Sequence, residues 1–251
     1  LSTYEYNVSL MSEITKYVEE NLYNVEPIVT IYYRIYKTYV DFENEENYKA
    51  LKNLVRINTK FLPQKESNHI FTFLINYCVG QINKGESIYF RELFNLYRQM
   101  IDYEVLTINN ELSPWHFKNI VLSALKVSEF NWGINFIEDY AAYLPDEFRN
   151  NAITFNLARL YFSQKKYQKV LELIREVEYE DMSYNIESKT MLLMTYYDTD
   201  EIEPLYSLMD SFRVYLNRHK EIPEQRKNYY KNLIKFTKRL TKIIPGDKKA
   251  I

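Results

Sequence analysis

The chain has 251 residues, with 32 Lys and Arg against 34 Asp and Glu, for a formal net charge of −2. It holds only four Gly and seven Pro, beside one Cys, 25 Tyr and 14 Phe. This composition excludes collagen-like, low-complexity and disulfide-stapled chains, and it argues against α/β enzymes, which need glycines at tight turns and phosphate loops. At 46% apolar and 26% charged, the chain has enough hydrophobic material for a core and is not disordered. No apolar run reaches the roughly 18 residues that a membrane helix needs, and no stretch of the given sequence reads as a secretory leader. The lone Cys78 lies in the apolar stretch FLINYCVGQI and reads as a buried thiol in a reducing compartment, so a cytoplasmic location is expected. The first residue is Leu1 rather than Met, from which a fragment lacking its native N-terminus is expected.

Apolar residues recur at helical spacing almost throughout, and strict alternation is scarce. In chain order this predicts about twelve helices, at 4–21, 27–40, 44–61, 67–84, 87–103, 114–128, 130–143, 147–163, 167–178, 183–197, 201–218 and 224–243. Pro27 opens the second, and Pro63 follows the third. Gly85 supplies a left-handed cap to the fourth. Ser113-Pro114 reads as an N-cap followed by proline at the first helical position. Leu144-Pro145-Asp146 and Ile222-Pro223 separate neighbours, and Asp200-Glu201-Ile202-Glu203 has a capping-box pattern. Connections of two to nine residues imply antiparallel helical hairpins, and no Gly/Ser-rich or Pro-rich linker divides them, which predicts a single domain over 1–251.

The hairpins repeat. In 151–184, Leu157 and Ala158 are followed by Tyr161, Tyr167, Val170 and Ile174. The same frame fits 114–147, through Phe117, Ile120, Val121, Ala124, Phe130, Gly133, Ile137, Tyr140 and Pro145. It fits again at 186–219, through Leu192, Leu193, Tyr196, Leu205 and Met209. The small-residue position recurs at Val121, Ala158 and Leu193, spacings of 37 and 35. This pattern resembles the tetratricopeptide (TPR) repeat in a degenerate form, with seven Ala in the whole chain and a drifting period. The chain is also similar to uncharacterised bacterial helical-repeat proteins. The resemblance implies an all-α, right-handed α-solenoid of stacked antiparallel hairpins, with repeats over 27–219 and a basic capping helix and tail over 220–251.

No catalytic or metal-binding constellation is legible. His69, His116 and His219 lie far apart, and none has a His or Cys at ligand spacing. HExxH, GxSxG, GxxxxGK[ST] and GxGxxG are all missing from the sequence. Asp198 and Asp200 read as helix-capping acids, Glu178, Glu180 and Asp181 as a solvated turn. Asn7-Val8-Ser9 is a sequon inside an expected helix. No cofactor or metal is expected, and an enzyme, with a site built from scattered Glu, Tyr and His that the sequence does not reveal, is the third reading after the two binding surfaces described next.

Two binding surfaces are legible. In TPR-like solenoids the first helix of each hairpin faces the concave surface. Carried onto this sequence, that places Trp115, Lys118 and Lys126 in the groove from one repeat, Phe155, Arg159 and Phe162 from the next, and Tyr197 from the third. The resemblance implies a non-catalytic scaffold that binds a protein or peptide by aromatic burial and a few charge contacts. The second surface is basic. Residues 213–251 hold twelve Lys and Arg against three Asp and Glu, while residues 1–212 hold 20 against 31. Lys227, Lys231, Lys235, Lys238 and Lys242 fall on one face of the last helix, opposite Tyr230, Leu233, Ile234, Thr237, Leu240 and Ile244. This stripe suits an anionic polymer or an acidic partner, or simply the polar outer face of a capping helix. Lysine in place of arginine, and no interleaved aromatics, weigh against nucleic acid.

Overall fold

A computed structural model describes residues 10–22, 24–174 and 182–243. Among these residues the chain is all-helical. Its elements are α1 (Met11–Glu20), α2 (Pro27–Val40), α3 (Glu45–Asn58), α4 (Gln64–Asn83), α5 (Tyr89–Asp102), α6 (Pro114–Lys126), α7 (Phe130–Tyr140), α8 (Asp146–Ser163), α9 (Tyr167–Ile174), α10 (Met182–Asp198), α11 (Ile202–Arg218) and α12 (Glu224–Leu240). Short 3-10 turns follow α3 and α7 at Thr59–Phe61 and Ala141–Tyr143. The expected helix over 4–21 lies partly outside the described residues, as do the sequon at Asn7, the end of the helix expected at 167–178, the acids Glu178, Glu180 and Asp181, and Ile244.

Proline sets five of the twelve starts among the described residues. Pro27 and Pro114 occupy the first helical position, and Pro63, Pro145 and Pro223 stand just before it. At these sites the missing N–H costs nothing, because the first turn has no partner for it. Two expected caps are corrected. The Ser113 side chain makes no capping hydrogen bond, and Asp200 adopts a left-handed conformation with φ 58°, which leaves Glu201 before α11 without a side-chain cap. Asp200 instead closes α10: its own N–H donates to the Tyr197 carbonyl, and that of Glu201 to Tyr196. Gly85 does the same for α4 with φ 101°, its N–H bonding Ile82 while the N–H of Glu86 bonds Gln81. This pair of bonds is the Schellman closure that left-handed residues permit.

The chain forms two compact units, residues 1–112 and 113–251. In the first, α1 to α5 pack each on the next, around Ile31, Leu51, Val55, Phe71, Leu74, Phe94, Leu96 and Met100. Its interior also carries polar groups. Tyr48 Oη donates to Glu92 Oε1 at 2.8 Å and lies 3.3 Å from Cys78 Sγ, and the Tyr48 ring stacks on Tyr77 at 4.3 Å. Cys78 is buried, as its sequence context implies. In the second unit α8 packs against both α6 and α10, so these three helices share a layer. α7 packs on α6 and α8, α9 on α8 and α10, and α11 on α10 and α12. Close approach depends on small side chains: Ala124 and Ala158 are buried, and a Cβ on Gly133 would stand 3.2 Å from both Leu160 methyls. Val121 and Leu193, at the same repeat position as Ala158, are buried too.

Candidate functional site

Among the described residues no helix is long and apolar enough to cross a membrane, and no group of three or more His, Cys, Asp or Glu converges as a metal site. The feature that stands out in the second unit is a groove of about 310 Å³. Its walls come from four helices, each presenting residues at helical spacing. α6 gives Leu122, Leu125 and Lys126. α8 gives Arg159, Phe162 and Ser163. α10 gives Glu187, Thr190, Met191 and Met194. α12 gives Tyr229 and Tyr230. Met194 is 43% exposed and Tyr229 65% exposed, so the rim holds apolar side chains that water already reaches.

At one end sits a charged cluster centred on Glu187. Its Oε1 accepts a hydrogen bond from Lys118 Nζ at 3.1 Å. Its Oε2 stands 3.8 Å from Arg159 Nη1, close enough for ion pairing and too long for a hydrogen bond. Arg159 has only 17% of its side chain exposed, and its buried Nη1 has no hydrogen-bond partner. Burial weakens the hold of the guanidinium on its proton, lowering its pKa, and the neighbouring Glu187 and Tyr184 oppose that effect. The guanidinium lies over the Phe155 ring at 5.4 Å, and Lys118 Nζ over Tyr184 at 5.0 Å.

The groove residues expected from sequence separate into three groups. Lys126, Arg159 and Phe162 line this groove together. Lys118 stands behind it, bonded to Glu187. Phe155, Trp115 and Tyr197 do not line it, and Phe155 requires a correction. Its side chain is 0% exposed and packs in the core with Ala158, Val170, Ile174 and Met191, underneath Arg159. Trp115 is exposed against His116, whose pKa is lowered by burial, and Tyr197 is partly exposed one turn beyond Met194. Sequence reasoning missed Glu187, Met191, Met194 and Tyr229. The signal was present in the i, i+4, i+7 spacing of the three on α10.

The lysine stripe does not form a single solvated face. Lys227 is 5% exposed and donates to Glu224 Oε1 at 2.9 Å. Lys238 lies over the Tyr206 ring at 5.3 Å. Lys231 is half-buried, and Lys235 and Lys242 are exposed. The reason is register. α12 buries the line through Lys227, Ile234 and Thr237, so the stripe runs along the edge of its packed face, and Tyr229, Phe236 and Leu240 project outward. No family model, no curated protein and no solved structure matches the chain.

Proposed function

We propose that the protein is a non-catalytic scaffold, a TPR-like α-solenoid whose 113–251 unit binds an extended segment of another protein in the groove between α6, α8, α10 and α12. The observation that carries this reading is the groove itself. It joins an exposed apolar rim of Met194 and Tyr229 to Arg159, whose side chain is largely but not fully buried. Its packing order supports the solenoid reading, because α8 joins α6 to α10 in one layer while α7 and α9 bridge successive members. Its volume lies at the low end of the roughly 300–1,000 Å³ typical of small-molecule sites. That size suits one or two peptide side chains better than a cofactor. Methionines suit such a role, because their flexible thioethers adapt to different apolar partners. Of the basic stripe, Lys235 and Lys242 are exposed and Lys227 is buried in an ion pair, so the last helix supports an anionic-polymer reading less well.

The test is site-resolved photocrosslinking in cells. A photoreactive phenylalanine replaces Met194 or Tyr229 in one pair of variants, and the exposed Ile57 of the other unit in a control. Adducts at the two groove positions that map to one segment of one protein, with none at Ile57, are the expected result. Equal labelling at all three positions would remove the assignment.

A further inference from the structure

Arg159 is a largely desolvated cation of the groove, with 17% of its side chain exposed and a buried Nη1 that has no hydrogen-bond partner. Burying a charged donor without a partner is costly, and folded chains avoid it unless something else answers the donor. Here the nearest carboxylate is Glu187, and Glu187 is committed elsewhere. Lys118 holds its Oε1 at 3.1 Å, and the other oxygen stays 3.8 Å from Arg159. One carboxylate is therefore shared between two cations and satisfies one of them. The described lining of the groove also includes Lys126. A second carboxylate entering here would meet the exposed part of a guanidinium that is otherwise largely desolvated. Charge-assisted bonds formed under those conditions are stronger than those made in bulk solvent.

Resting on the groove reading above, we propose that the partner segment carries an acidic side chain between bulky apolar ones, and that its carboxylate takes Arg159 while Glu187 stays with Lys118. Glu187 is then a resident stand-in for the partner's acid. It holds Arg159 in place over the Phe155 ring when the groove is empty, and it weakens every acidic ligand by sharing the same cation. The flanking apolar side chains meet Leu122, Leu125 and Phe162 on one side and Met191, Met194 and Tyr229 on the other. Residues three or four apart on each helix build both walls, so the acid and its apolar neighbours are read by adjacent helices. A basic or uncharged central residue would leave Arg159 sharing Glu187 with Lys118, as in the empty groove.

The experiment uses the full chain and a fixed set of fluorescein-labelled octapeptides, Gly-Ser-Φ-Φ-X-Φ-Gly-Ser. Φ is Leu, Phe or Met, and X is Glu, Gln or Lys. Fluorescence anisotropy gives each dissociation constant. The expected result is that Glu peptides bind about tenfold or more tightly than their Gln counterparts, the size of a hydrogen bond to a charged group, and that Lys peptides bind weakest. Glu187→Gln keeps an acceptor for Lys118 and removes the competing charge. It is expected to tighten Glu peptides by roughly threefold or more while leaving Gln peptides unchanged. Arg159→Gln should abolish the Glu-over-Gln preference, and Arg159→Lys should keep part of it, with circular dichroism confirming helical content in each variant. Binding that is lost in Tyr229→Asp but shows no preference for Glu over Gln would overturn the acidic-segment inference and leave the groove reading standing. A preference that survives Arg159→Gln would also overturn the inference. Finding no binding below millimolar concentration, or binding indifferent to both Tyr229→Asp and Met194→Asp, would overturn both.

Discussion

Phe155 and Tyr229 differ in consequence because the first is 0% and the second 65% exposed. Phe155 fills the core beneath Arg159, so Phe155→Ala should open a cavity and cost about 3–5 kcal/mol. Urea unfolding should show that loss directly, and for this reason the substitution cannot report on binding. Tyr229→Asp and Met194→Asp alter side chains that water already reaches, and should move stability by no more than about 0.5 kcal/mol. A large fall in midpoint for either would mean that the rim is part of the core. The sequence made Lys126, Arg159 and Phe162 legible because helical register carries from one hairpin to the next. It hid the depth of Phe155, one turn from Arg159 and just inside the packed face. It hid Glu187 for another reason: an isolated Glu reads as solvated, and its partner Lys118 is 69 residues away. Cys78 offers a test at the same scale in the first unit. Burial pushes its thiol up to about 12 from 9.0. The folded state therefore holds the proton more tightly than the unfolded state does. The stability linked to this group is intact below pH 9 and falls as pH rises toward 12. Urea midpoints should drop as pH rises from about 9 to 10.5, and less steeply in Cys78→Ala than in wild type. Identical slopes would show that the thiol is not the titrating group.

At the level of the helix, starts were easier to read than ends. Prolines mark the starts in a way that survives any tertiary context, since their ring fixes φ and removes a donor. Ends normally announce themselves by glycine, and this chain has four. Among the described residues only Gly85 is a glycine that serves as a left-handed cap. Glu104, Ser128, Lys165 and Asp200 take the same conformation, with φ between 56° and 63°, after α5, α6, α8 and α10. Each makes the paired closing bonds. For Lys165 its N–H donates to Phe162 and that of Lys166 to Tyr161, both at 2.9 Å. With no glycine to mark them, the turns between hairpin halves could be placed only by where the apolar pattern paused. Left-handed backbone costs an ordinary residue about 1–2 kcal/mol, and glycine returns roughly 0.4–1 kcal/mol of that as extra freedom in the unfolded chain. Lys165→Gly should therefore raise stability by about 0.5–1 kcal/mol. The exposed Lys165 makes this a clean comparison of urea midpoints. Unchanged or lower stability would mean that the αL strain is relieved by side-chain packing.

The all-helical class followed from composition and period alone, because both survive averaging over a whole chain. The division at residues 112 and 113 did not. Domain boundaries are usually sought in flexible, Gly- or Pro-rich linkers, and this connection is short and structured. Ile108 and Glu111 exchange two backbone hydrogen bonds of 3.0 Å around Asn109 and Asn110, both left-handed. Asparagine tolerates that conformation well enough to make a tight hairpin-type turn without glycine. The second unit is roughly 140 residues long, close to the common domain size of about 100–150. Among its described residues are an apolar cluster around Phe155, Val170 and Met191 and another around Leu193, Met209, Phe212 and Ile234. Neither draws on a residue before Ser113. Because hydrophobic burial supplies most of the driving force for folding, a unit that closes its own core needs no neighbour to stay helical. A fragment of residues 113–251 is expected to keep its helical circular dichroism and to unfold in a single cooperative urea transition. It should also bind the Glu-centred peptides with the affinity of the full chain. If the fragment is unfolded, the two units belong to one cooperative array, whose terminal repeats are stable only when stacked on their neighbours.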